Sequence, residues 1–167
     1  MSKNPILTVV GRLLASLAIV SMVLVSPTSS SAQNGKVATF TFKGKDVVFT
    51  FPADVCGAVY SATETVNFVD HVTDDLSTPN PLDHFTHTEN GQVTLVPEDP
   101  SLPTYTGRVT FWVGGNSNPN AEGVTFTLNL NLEGSDGSSL KVHETFHLTI
   151  VDGNLVREFD KITCNES

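Results

Sequence analysis

Three observations predict an all-β fold for this chain of 167 residues. Val124, Phe126, Leu128, Leu130 and Leu132 alternate with Thr125, Thr127, Asn129, Asn131 and Glu133, a period of two that puts the apolar set on one face of a strand. Similar runs are separated by short clusters of Gly, Asn, Asp and Ser. After the first 32 residues, no segment spaces its apolar positions as a helix requires.

Those 32 residues have a different character. Lys3 and Arg12 precede an apolar run from Leu13 to Val25, and small residues at Ser30 and Ala32 follow. That order of charge, apolar segment and small side chains reads as a cleaved export signal over residues 1–32. The run is shorter than the roughly 20 residues a membrane span needs. A secreted, single all-β domain over residues 33–167, starting at Gln33, is the expected product.

In that domain, strands are predicted over 37–42, 47–51, 58–68, 85–89 and 92–96. Lys43-Gly44-Lys45, Asn90-Gly91 and Gly114-Gly115 read as turns, and 70–83 and 97–103 as surface loops. From Tyr105 to Thr163 the pattern predicts a four-strand antiparallel meander, with turns at Ser135-Asp136-Gly137 and Asp152-Gly153. A two-residue turn at Asp152-Gly153 pairs Ile150 with Leu155, Phe146 with Phe159 and Glu144 with Lys161, and sets His147 against Glu158. An antiparallel β-sandwich is the expected architecture, with a closed or flattened antiparallel barrel as the alternative.

Charge restricts the partners. Beyond residue 32, seven basic residues face eighteen acidic ones, a balance of −11. Nucleic acid and anionic membranes are poor partners for such a chain, because both require a basic surface. Self-repulsion favours a monomer. Cys56 and Cys164 are expected to form a disulfide, since exported chains fold under oxidising conditions and an even cysteine count suits pairing.

One motif invites a catalytic reading. His143-Glu144-Thr145-Phe146-His147 matches the zinc-hydrolase pattern H-E-x-x-H. The chemistry needs a helix, where residues four apart share a face about 6 Å apart. On a strand they are about 13 Å apart, too far to ligate one ion. The alternation of Leu140, Val142, Phe146, Leu148 and Ile150 favours a strand, so a metal-dependent hydrolase is the alternative and a non-catalytic domain without cofactors the leading expectation.

The remaining candidates are weaker. His84 and His87 are an odd spacing apart, which on a strand sends them to opposite faces. Asp70, Asp74, Asp75 and Asp83 offer oxygen ligands for calcium but lack EF-hand spacing. Trp112 falls opposite Phe111 and Val113, and an outward Trp on a β-sheet suits a ligand such as a sugar ring. Asn165-Glu166-Ser167 fits the N-glycosylation pattern.

With its leader, an early Val55-Cys56-Gly57, Asp136-Gly137 in a central meander, and the closing Phe159-Asp160-Lys161-Ile162-Thr163-Cys164, the chain resembles small uncharacterised secreted all-β proteins of Gram-positive bacteria. A non-catalytic secreted domain of this kind is expected to engage a ligand or a cell-envelope partner; the resemblance itself implies export and supplies no established activity. It carries over no catalytic residue.

Overall fold

The computed structural model describes residues 37–75, 77, 82–118 and 120–167, so the predicted leader lies outside the described residues. Seven strands follow one another: β1 (Val37–Val55), β2 (Ala58–Asp75), β3 (Leu82–Pro97), β4 (Tyr105–Asn118), β5 (Ala121–Gly134), β6 (Ser139–Val151) and β7 (Asn154–Glu166). They form one antiparallel sheet in sequence order, a meander from end to end. Among the described residues β1 and β7 do not pair with each other, so the sheet is not closed. The meander predicted for residues 105–163 is β4 to β7.

The sheet curls. Strands lie about 4.8 Å apart, so in a flat sheet the β1–β2 turn would stand roughly 25 Å from β7. Instead Cys56 in that turn is bonded to Cys164 of β7, with Cα atoms 6.1 Å apart. Near this junction the Tyr105 hydroxyl of β4 donates to Glu166 Oε1 of β7 at 2.8 Å, and Tyr60 of β2 meets the Tyr105 ring edge-on.

Curling gives the sheet an inner and an outer face, and the period-two pattern decides which residues go where. Tyr60, Ala62, Val66, Val93, Leu95, Tyr105, Val109, Leu130, Leu132, Leu140 and Val142 form the main core on the inner face. Val113, Phe126 and Phe146 make a second cluster further along it. By register, nine of the ten phenylalanines face inward, and Phe159 is the exception.

Four sequence expectations are corrected. Lys43-Gly44-Lys45, Asn90-Gly91 and Gly114-Gly115 are not turns: they lie inside β1, β3 and β4. Gly91 is there because neighbouring backbone comes close. A Cβ at that position would stand 2.2 Å from the Thr65 carbonyl oxygen and 2.7 Å from Val66 Cα. At Gly44 the Phe68 ring fills the space a side chain would take, an aromatic covering of a strand glycine that permits tight coiling. A bulge after Gly44 leaves Lys45 and Asp46 outside the ladder, with Asp46 at φ +52°.

The segment predicted as a loop over 70–83 is mostly strand. Asp70, Asp74 and Asp75 belong to β2, which runs on to pair with β1 and β3. Alternation continues through Phe68, Asp70 and Val72, so one inward carboxylate hid a strand.

The β6–β7 register is the third correction. The turn pairs Val151 with Asn154 and Ile150 with Leu155 as expected, but a bulge at Val156 then shifts the ladder, and Thr149 faces Arg157. Glu144 therefore faces Ile162, and Lys161 faces Thr145. Phe146 faces Asp160, while Phe159 lies outward opposite His147 and is 44% exposed. His147 does not oppose Glu158, which faces Leu148. The shift has a physical reason. It puts Cys164 opposite the buried Val142, on the inner side where Cys56 meets it. Without it, Cys164 would face outward beside Lys141.

The last correction is one of continuity: the predicted pairs 37–42 with 47–51, and 85–89 with 92–96, each fuse into one long strand.

Candidate functional site

Two places hold chemistry-bearing side chains in a defined arrangement. The first lies inside the curl. Asp70 and His87 are directly opposite on β2 and β3, with Phe68 and Glu89 opposite each other one step along. His87 Nδ1 is 2.6 Å from Asp70 Oδ1, and Nε2 is 3.3 Å from Glu89 Oε2. Phe68 stacks on the imidazole at 5.6 Å and Phe111 tilts against it at 5.9 Å. The His87 and Glu89 side chains are only 12% and 11% exposed.

Burial pulls the His87 pKa down, but hydrogen bonds and charge from Asp70 and Glu89 outweigh it and raise the pKa to about 9. The imidazolium then donates from both nitrogens. Glu64, from the same face of β2, hydrogen-bonds Glu89. Burial, together with the Glu89 charge and that bond, lifts its pKa to about 8. At neutral pH the chain runs from protonated Glu64 to Glu89, then His87, then Asp70. Every donor in it is committed. A general base needs a free lone pair within reach of a substrate proton, and neither His87 nitrogen offers one.

The second place is the outer face. Registers across β2 to β7 define five consecutive rows, from the row of Thr65, Arg108 and Lys141 to the row of Thr73, Asn116 and Arg157. None of those thirty outward positions is Asp or Glu. The acidity of the chain sits elsewhere: on the inner face at Glu64, Asp70, Glu89, Glu144, Glu158, Asp160 and Glu166, and in turns and strand ends.

On this face Trp112 is 41% exposed. It borders an open cleft of about 310 Å³ whose lining includes His84, Asn116, Glu122, Thr125, His147 and Thr149. The indole lies over Gly114, where a Cβ would stand 2.8 Å from the ring. Thr125 Oγ1 and His147 Nδ1 are 2.7 Å apart, and Thr149 Oγ1 lies 2.9 Å from His147 Nε2.

The structure separates the predicted site residues. His143 and His147 lie outward on β6, while Glu144 between them points inward. His143 Nδ1 is 2.7 Å from Asn129 Oδ1, so each imidazole has its own partners. Burial and the nearby Asp160 charge raise Glu144 to about 7. His84 and His87 take opposite faces, as the odd spacing requires. Asp74 and Asp75 close β2, where Asp75 Oδ1 accepts from Ser77 N at 2.8 Å; the Asp83 side chain lies outside the described residues. Among the described residues no group of three or more His, Cys, Asp or Glu is arranged to hold a metal ion.

Sequence reading missed the inner chain. Its signal is parity: in Val66-x-Phe68-x-Asp70 and Phe85-x-His87-x-Glu89 the polar residues occupy the same phase as the aromatic ones. No protein-family model, curated protein or solved structure matches this chain.

Proposed function

We propose that the chain is an exported, non-catalytic β domain that binds its ligand on the outer face around Trp112. The observation that carries this reading is the outer face itself: a half-exposed Trp within five rows that hold no Asp or Glu, beside an open cleft where Glu122 joins Thr, Asn and His in the lining. Aromatic surface with one wet side and adaptable hydrogen-bonding neighbours suits recognition more than bond cleavage. The disulfide fits an oxidising compartment. In the same reading the curled sheet is an incompletely closed barrel rather than a sandwich, the domain is monomeric, and its partner belongs to the cell envelope.

Trp112 is the sole tryptophan, so its fluorescence reports directly on this face. Titration with a panel of polysaccharides is expected to shift or quench its emission while releasing no new reducing ends. Release of reducing ends with stoichiometric zinc, both lost in His143→Ala, would establish the hydrolase reading instead.

A further inference from the structure

The outer face of β4 to β7 carries more than an aromatic ring. Its five rows hold Arg108 and Lys141 in one row, Lys161 in the Trp112 row, Phe159 in the next and Arg157 in the last. All four basic side chains belong to exposed residues, and none is in an ion pair among the described residues. Rows lie about 6.6 Å apart and strands about 4.8 Å, so the patch covers roughly 26 by 14 Å. Neighbouring cations are spaced about 10–14 Å apart. Glu133 and Glu122 stand just beyond its two ends.

Net charge is therefore a poor guide to this surface. The −11 balance is a bulk property, and at physiological ionic strength charges are screened beyond about 8 Å. A ligand lying on the patch meets four cations, with Glu122 and Glu133 only at its two ends and the inner carboxylates on the far side of the sheet. Building from the proposed binding role of this face, we propose that β4 to β7 bind an acidic, carboxylate-bearing polysaccharide. Trp112 and Phe159 stack on sugar rings, and Arg108, Lys141, Arg157 and Lys161 pair with carboxylates along the polymer. The ring faces account for sugar, the unpaired cations for acid, and the intervening Thr and Asn side chains for hydroxyl contacts.

The test is calorimetric titration of the disulfide-bonded domain with polygalacturonate, with dextran as neutral polymer and oligodeoxythymidylate as a non-sugar polyanion. Polygalacturonate is expected to bind at 0.15 M salt and to lose at least tenfold in affinity at 0.5 M. Arg157→Gln with Lys161→Gln should cost at least tenfold with an unchanged melting temperature, and Trp112→Ala at least fivefold. Dextran binding as tightly as polygalacturonate overturns the acidic specificity and leaves the ligand-binding role standing. Oligodeoxythymidylate binding as tightly overturns the sugar assignment. Silence with every polymer, in calorimetry and in Trp112 emission, defeats both the specificity and the role of this face.

Discussion

Replacing Glu64 by glutamine should make the domain more stable at alkaline pH and leave it nearly unchanged at acid pH. Glu64 holds its proton up to about pH 8 in the folded state, against 4.5 for the free side chain, because burial and the Glu89 charge oppose ionisation. A raised carboxyl pKa means stability present below the unfolded value and lost as pH climbs to the folded one. His87 acts in the same direction: its folded pKa of about 9 lies above 6.5, so its contribution is complete below 6.5 and disappears as pH passes 9. The domain should therefore weaken between about pH 4.5 and 9. For Glu64 the shift corresponds to at most roughly 5 kcal/mol. Sharing the proton with Glu89 and residual contact with water reduce this to about 2–3 kcal/mol. A glutamine side chain cannot ionise, yet its amide still donates to Glu89, so E64Q should match the parent within about 1 kcal/mol at pH 5. At pH 8.5 it should exceed the parent by about 2–3 kcal/mol, or roughly 6–15 °C in melting temperature for a domain of this size. Thermal unfolding followed by circular dichroism, under non-reducing conditions, measures the difference. A gap between the two proteins that stays constant from pH 5 to pH 8.5, or narrows, would refute the argument.

Two further outcomes follow from the packing. Substituting both Cys56 and Cys164 by Ala opens a loop of 108 residues and should cost about 3–5 kcal/mol in urea unfolding; a loss under about 1 kcal/mol would mean the strands hold the curl without the bond. Gly91→Ala drives a Cβ into the Thr65 carbonyl and should cost at least about 2 kcal/mol, whereas Gly137→Ala meets open space and pays only for its φ of +89°, about 1 kcal/mol. Equal losses in urea midpoint at the two glycines would contradict the close-approach explanation.

How far the sequence carried can be read from particular residues. Strict alternation identified β4 to β6, because each places one face in a core and the other in water. Asp152-Gly153 was legible as a turn because both residues adopt positive φ there, +51° and +73°. The cysteine pair followed from compartment and count. Gly44, Gly91 and Gly114-Gly115 misled because a glycine that admits a neighbour's backbone or ring looks, in one dimension, like a glycine that turns the chain. The Val156 bulge was invisible for a similar reason: what it brings into register is Cys164 with Cys56, 108 residues earlier, and no local pattern records that pairing. Trp112 was placed outward correctly by parity. The inner chain escapes a reading by residue type because Asp70 and His87 look like surface residues until the phase they share with Phe68 and Phe85 is counted. The five carboxylate-free rows of the outer face were hidden because composition counts charges without sorting them by side.

The Cys56–Cys164 bond also sets how the chain carries load. A pull applied at the two ends of the described chain travels along β1, crosses from Cys56 to Cys164 through sulfur, and leaves through the three residues that follow. The 107 residues between the cysteines, which include β2 to β6 and most of β7, never enter that path. Only β1 lies in that path, and its 19 residues are already extended in the strand, so peeling it from β2 adds only a few ångström, on the order of 5 Å, before the force meets covalent bonds. Under such tension the domain would give up one edge strand and then hold fast, with the outer face of β4 to β7 intact.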